Sequence, residues 1–143
     1  MTKTKAKKSP KATKVAKVKK VVYAFDVDDT LEVSKGPIKM QQLMDLRVDG
    51  HIVGLCGNVI PVLSVDGWEH LISFFNVGMP KDAYLNEVKR FVRADDYVFV
   101  GNVGPIDSAY LKVPQTGASD DMGAAMRSSW RFITEADFAN GTR

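Results

Sequence analysis

From Val21 onward the apolar residues follow two alternating rhythms: short unbroken runs, and longer stretches in which they recur every three or four positions. The run "VVYAFDV" (21–27) reads as a buried strand, and "HIVGLC" (51–56), "YVFVGN" (97–102) and "RFIT" (131–134) read as three more. Between the first two, "EVSKGP" is turn chemistry punctuated by Gly36 and Pro37. Ile38, Met40, Leu43, Met44 and Leu46 then lay out one side of a helix that Asp49-Gly50 stops. "WEHLISFF" (68–75) carries Trp68, Leu71, Ile72 and Phe75 at helical spacing. Between Pro80 and Ala94 the stripe Tyr84, Leu85, Val88, Phe91 and Val92 predicts an amphipathic helix, with Lys81, Asp82, Asn86, Lys89 and Arg90 on its other faces. "SDDMGAAMRSSW" (119–130) predicts a helix capped by Ser119 or Asp120, and "EADF" (135–138) a last turn covering the sheet. Residues 103–118 form an irregular loop with Gly104, Pro105, Pro114 and Gly117, long enough to call for a functional explanation. Strands alternating with helices imply an α/β domain on a largely parallel sheet.

Length and charge change this picture at one end. The 143 residues suffice for one core, and no apolar stretch approaches the roughly 20 residues that cross a bilayer, so a soluble protein is expected. No secretory leader opens the chain, and Cys56 stands alone, which excludes an intramolecular disulfide and points to a reducing cytoplasm. The first 20 residues hold nine lysines and no acid, while the formal charge of the whole is only +3, so the rest of the chain is net negative. Residues 1–20 therefore read as a disordered basic arm ahead of a domain at 21–143. Such an arm either holds nucleic acid or another polyanion by counterion release, or serves as a solubilising tail. Without arginine it makes a poor transit peptide.

The chemistry gathers at strand ends. Asp26 and Asp28 follow the first strand, Cys56, Gly57 and Asn58 the second, and Gly101 and Asn102 the third. In an open parallel sheet ligands bind beyond the carboxyl ends of the strands. Carboxylates crowded there repel one another unless a cation neutralises them, and hard oxygen ligands suit Mg²⁺, which takes its remaining ligands from water and phosphate. His51 and His70 have no second His or Cys at ligand spacing and read as structural. Trp68, Trp130, Phe74, Phe75 and Phe132 read as core. No Gly-x-Gly-x-x-Gly follows any strand, which argues against a dinucleotide site.

"YAFDVDDTL", an apolar strand followed by Asp-x-Asp-x-Thr, resembles the first signature of the haloacid dehalogenase-like hydrolase superfamily. The resemblance implies that Asp26 is the nucleophile that becomes an aspartyl-phosphate, that Asp28 is general acid and base, and that Thr30 supports the turn. It also implies that Mg²⁺ sits on the Asp26 carboxylate and the Asp28 carbonyl. An acid at Asp28 favours the phosphatase branch over true dehalogenases. The second signature is a strand ending in a hydroxyl residue; "HIVGLCGN" puts Cys56 there, a poor donor, leaving the amides of Gly57 and Asn58 to hold phosphate. Cys56 reads equally as a small buried filler. The third is a lysine near the start of the helix before the third strand, which fits Lys81, with Lys89 in reserve. The fourth is Gly-Asp with a later Asp at the metal; here Asn102 takes the first place, and Asp121 or Asp107 the second. Asp121 is preferred because Ala124 and Ala125 follow it three and four positions on, as in the family, which makes residues 103–118 an insertion beside the site.

Carried over 21 to about 138, the resemblance implies a Rossmann-like three-layer α/β sandwich without a large cap domain, whose open site suits bulky or macromolecular phosphate esters. The expected protein is a Mg²⁺-dependent phosphatase working through an aspartyl-phosphate. The alternative is a catalytically weakened binding protein of the same fold that engages nucleic acid or a protein partner through its arm. Cys56 and Asn102 are the residues that motivate it.

Overall fold

A computed structural model describes residues 19–102 and 120–143. Residues 1–18 of the arm, Asp107, Ser119 and the loop 103–118 lie outside the described residues.

Strand β1 (Val21–Phe25) is followed by helix α1 (Met40–Val48), β2 (Ile52–Leu55), the short helix α2 (Trp68–Leu71), α3 (Lys81–Phe91), β3 (Asp96–Gly101), α4 (Asp121–Arg127), β4 (Arg131–Thr134) and α5 (Glu135–Ala139). Two 3₁₀ turns, Glu32–Ser34 and Ile60–Ser64, lie within the first two connections. The four strands form one sheet in the order β2-β1-β3-β4, every pair parallel. A parallel sheet carries helices on both faces, which is why all five residues of β1 are buried. Val21, Tyr23, Phe25, Val53, Leu55, Val98 and Val100 point to a core shared with Leu43, Leu46, Leu71 and Phe138 of α1, α2 and α5. Val22, Ala24 and Phe99 point the other way, to Leu85 and Val88 of α3 and Ala124 and Ala125 of α4. This is a Rossmann-like α/β arrangement.

The order positions the site. β2 pairs on one side of β1 and β3 on the other, with Phe25 level with both Leu55 and Val100. A crevice opens outside the carboxyl ends where strand order reverses in this way. The residues after Phe25, Leu55 and Gly101 all arrive on that rim.

Three sequence expectations change. The helix expected over 68–75 stops at Leu71, and Ile72 turns extended. Ser73 N–H then donates to Val53 O, and Leu55 N–H donates to Phe74 O, each at 2.8 Å. The open edge of β2 needs partners for its backbone groups, and satisfying them outweighs helical spacing. Phe75 is not core: it is exposed and meets Trp68 edge to face. Phe91, expected on the buried stripe of α3, is 73% exposed at the helix end, with the Arg90 guanidinium over its ring. Trp130 is buried, its indole N–H donating to Leu85 O at 3.1 Å. Trp68, Phe74 and Phe132 pack half-buried against the two cores. Phe138 on α5 is fully buried against Tyr23 and Phe25, and Thr134 caps that helix by accepting from Asp137 N–H. His51 is structural, its Nδ1 accepting from Val21 N–H, and His70 is exposed. No helix among the described residues is long and apolar enough to cross a membrane.

Candidate functional site

The turn after β1 aims the acids. Asp26 continues the strand, its N–H donating to Val100 O, so its side chain is held at the sheet's rim with 1% exposure. The chain then closes on itself through Thr30 N–H and Leu31 N–H donating to Val27 O, with Asp29 in the left-handed region at φ 59°. This brings the Thr30 hydroxyl 3.2 Å from Asp26 Oδ2 and 3.3 Å from Asp28 O. Asp28 is partly exposed, and Ser34 Oγ donates to its Oδ1 at 2.7 Å.

Opposite this turn stand the first residues of two helices. Lys81 opens α3 and Asp121 opens α4. Lys81 Nζ donates to Asp26 Oδ1 at 2.9 Å and to Asp121 Oδ1 at 2.7 Å, so two acids 95 positions apart lie within two hydrogen-bond lengths of each other. Lys89 goes elsewhere, donating to Ser129 O with its ammonium over the Tyr97 ring. Asn102 completes the cluster from β3. Its main-chain N–H donates to Asp121 Oδ2 at 3.1 Å, and its side-chain Nδ2 lies 3.1 Å from Asp26 Oδ2 and 3.3 Å from Asp28 O. Two glycines make room. A Cβ on Gly101 would stand 2.4 Å from Asp121 Oδ2, and one on Gly57 would stand 2.5 Å from Asp26 Oδ1.

Burial sets the electrostatics. Desolvation pushes the Asp121 carboxyl up, Asp26 adds to that, and together they outweigh Lys81 and the Asn102 amide, leaving it at about 7. Burial pulls Lys81 down, but Asp26 and Asp121 reverse it and its net direction is up, so the lysine is charged. Outside the cluster, Arg127 Nε donates to Asp82 at 2.9 Å and its terminal nitrogen to Asp120 at 3.0 Å. That guanidinium ties the residue after Lys81 to the residue before Asp121 and holds the Asp82 carboxyl below its ordinary range.

A cleft of about 320 Å³ opens over this floor, lined by Asp26, Asp28, Lys81, Gly57 and Asn58 and walled by the segment Asn76–Pro80. The amide N–H groups of Val27, Asp28, Gly57 and Asn58 have no acceptor among the described residues. Cys56 does not line the cleft. It is fully buried in the core with Val22, Ala24 and Leu85, its Sγ 3.9 Å from Lys81 O. Burial pushes its thiol up to about 12, more than Lys81 lowers it. A thiol reagent at pH 8 is therefore expected to modify Cys56 at least about 100-fold more slowly in the native protein than in denaturant, since thiolate is the reacting form. Labelling at the unfolded rate under native conditions would show that the thiol reaches solvent.

The structure thus brings Asp26, Asp28, Thr30, Lys81, Asn102 and Asp121 to one place, with Gly57 and Asn58 beside them and Cys56 turned away. Sequence reading missed the amides of Val27 and Asp28, the Ser34 hydroxyl and the Arg127 tie. Backbone amides carry no residue signal, and the other two come from pairings that no spacing reveals.

Does the donor set suit a hard divalent ion? Among the described residues no three Asp, Glu, His or Cys side chains gather as a metal group. Yet Asp26 Oδ2 and Asp28 O converge on one point, since a single nitrogen of Asn102 reaches both, and a turned Asn102 amide would present oxygen there. Two carboxylates, a main-chain carbonyl and an amide oxygen are ligands Mg²⁺ accepts. The residues fit.

Comparison with protein-family models, with curated proteins and with solved structures returned no match.

Proposed function

We propose that this protein is a phosphohydrolase of the haloacid dehalogenase-like kind, without a large cap, that transfers the phosphoryl group of an ester first to Asp26 and then to water. The observation that carries the reading is the Lys81 bridge between Asp26 and Asp121 on the floor of an open cleft.

Asp26 Oδ1 is the attacking atom, because it faces the room that Gly57 leaves, whereas Oδ2 is turned to Thr30 and Asn102. It forms a bond to phosphorus as the ester P–O bond breaks, and the Asp28 carboxyl gives its proton to the departing oxygen. Ser34 holds one oxygen of Asp28, leaving the other to face the leaving group. Asp28, now a carboxylate, takes a proton from water. The resulting hydroxide attacks phosphorus, the bond to Asp26 breaks, and phosphate leaves. Lys81 balances the charge gathering between Asp26 and the phosphoryl oxygens, and the amides of Val27, Asp28, Gly57 and Asn58 donate to those oxygens. Asp26, the Asp28 carbonyl, Asn102 and Asp121 are the groups that would hold Mg²⁺, which when bound would further neutralise phosphoryl charge.

Purified full-length protein with added Mg²⁺ is expected to release phosphate from an aryl phosphate at a rate proportional to enzyme. Inertness across a broad panel of phosphate esters would overturn the proposal.

A second reading is favoured by one observation: Asn102 puts an amide where an acid would strengthen metal binding. On that reading the centre is a binding site, and the nine lysines of residues 1–20 engage nucleic acid. Its signature is nucleic-acid binding with a steep salt dependence, lost when residues 1–20 are deleted, together with no turnover.

A further inference from the structure

The amide at the end of β3 does more than subtract a charge. Asn102 Nδ2 lies 3.1 Å from Asp26 Oδ2, 3.3 Å from Asp28 O and 3.4 Å from Thr30 Oγ1. The first two are the oxygens a divalent ion would share. Charge fixes the amide's direction: reversed, its carbonyl oxygen would face a carboxylate oxygen at hydrogen-bond distance and be repelled. The main-chain N–H of the same residue holds Asp121 Oδ2, while Lys81 holds Oδ1 of both acids. Each carboxylate oxygen of Asp26 and Asp121 therefore has a donor from this chain, although both acids are buried.

We infer that Asn102 acts as an internal stand-in for the divalent cation, its amide hydrogens tying Asp26 Oδ2 to the Asp28 carbonyl until a hard ion such as Mg²⁺ turns the amide over and takes Oδ1 as a ligand. The inference rests on reading this centre as a site for cation and phosphate. It adds that ion binding is a competition, in which the cation displaces hydrogen bonds the protein already makes. A buried acid cluster without such donors depends on its metal for stability; this one supplies its own counter-donors. Asn102→Asp removes the competing donor and adds a negative charge, so it converts a weak conditional ion site into a tight obligatory one.

The test titrates MgCl₂ into full-length wild type and Asn102→Asp, following the melting temperature, and follows the Asn102 side-chain N–H₂ resonances of the ¹⁵N-labelled wild type. In EDTA the wild type is expected to melt as it does in low Mg²⁺, and the variant to melt lower. Half-saturation by Mg²⁺ should require at least about tenfold less ion in the variant. The wild-type Asn102 N–H₂ pair should exchange slowly in EDTA, beside the exposed Asn86 as a reference, and should shift as Mg²⁺ saturates. Half-saturation within threefold in the two proteins, or an Asn102 pair that exchanges as fast as that of Asn86, would overturn the inference. If the variant does not fold, the wild-type resonances decide alone. Turnover is read separately. A wild type that hydrolyses nothing, beside a variant that binds Mg²⁺ at least about tenfold more tightly, removes the phosphohydrolase reading and leaves this one. A wild type that hydrolyses esters and binds Mg²⁺ as tightly as the variant does the reverse.

Discussion

Asp26→Asn is expected to lower phosphate release by about 10⁴-fold or more, the scale seen when an attacking nucleophile is removed, while the protein keeps its fold. The loss follows because an amide oxygen cannot form and then release a phosphoryl bond as a carboxylate does. The retention of fold follows from the hydrogen bonds. An asparagine at 26 still offers an acceptor to Lys81, and its new N–H₂ would face Asn102 Nδ2, now 3.1 Å from Asp26 Oδ2, so the Asn102 amide turns to present oxygen. Removing one of two neighbouring buried acids also relieves their repulsion. Steady-state release from an aryl phosphate, paired with a denaturant melt, separates the two effects. A variant that keeps more than a tenth of wild-type turnover would show that Asp26 is not the attacking group.

Lys81→Met should produce the largest loss of stability. The side chain is 13% exposed, and among the described residues its ammonium is the one cation between two carboxylates that are 2% and 0% exposed. Breaking a buried pair by deleting one partner typically costs about 3–5 kcal/mol, because the remaining charge is left uncompensated. The cost depends on pH, and its sign can be worked out. Asp121 has an ordinary value of 3.8 and is pushed up to about 7 in the fold by burial and by Asp26, so the folded state binds its proton more tightly than the unfolded state. Stability from such a group is present at low pH and is lost as pH rises from about 4 to about 7. Taking away Lys81, which lowers that carboxyl, keeps the proton on to higher pH and extends the loss upward. The deficit of Lys81→Met relative to wild type should therefore be smaller at pH 5, where Asp121 holds its proton, than at pH 8, read from urea midpoints. Equal deficits at both would mean that the ammonium does not neutralise this pair. Turnover should fall as well, but stability is the sharper reading because it needs no substrate.

Much of the architecture could be read from the chain. The strand runs at 21–27, 51–56, 97–102 and 131–134 are short, apolar and bounded by turn residues, and all four form strands of a parallel sheet. α1, α3 and α4 follow their periodicity to within a few residues. The failures have one cause. Ile72–Phe75 has helical spacing, yet Ser73 and Phe74 pair with the edge of β2, a demand that exists only once β2 stands at a sheet edge. Phe91 lies on the stripe of its helix but at its last residue, where the neighbouring layer has ended.

For the site, strand-end position was enough to gather Asp26, Asp28 and Asn102, because a parallel sheet delivers the residues after each strand to one rim whatever the loops do; Lys81 and Asp121, which open helices, were named only through the family resemblance. Aim was not legible. Whether Lys81 or Lys89 reaches the acids depends on which turn of α3 faces the crevice, and Lys89 instead bonds Ser129 O. Cys56 follows its strand at the position the resemblance gives to a phosphate-binding hydroxyl, but its side chain falls on the α3 face and is buried there. Asn102 reads in the chain as an acid lost; in space it is a donor gained, bonded to Asp26 and beside the Asp28 carbonyl. Periodicity and strand-end chemistry act over a few neighbouring residues and survive in one dimension. The direction of a side chain is settled by contacts between residues as far apart as 26 and 121, and so appears only when the helices have docked on the sheet.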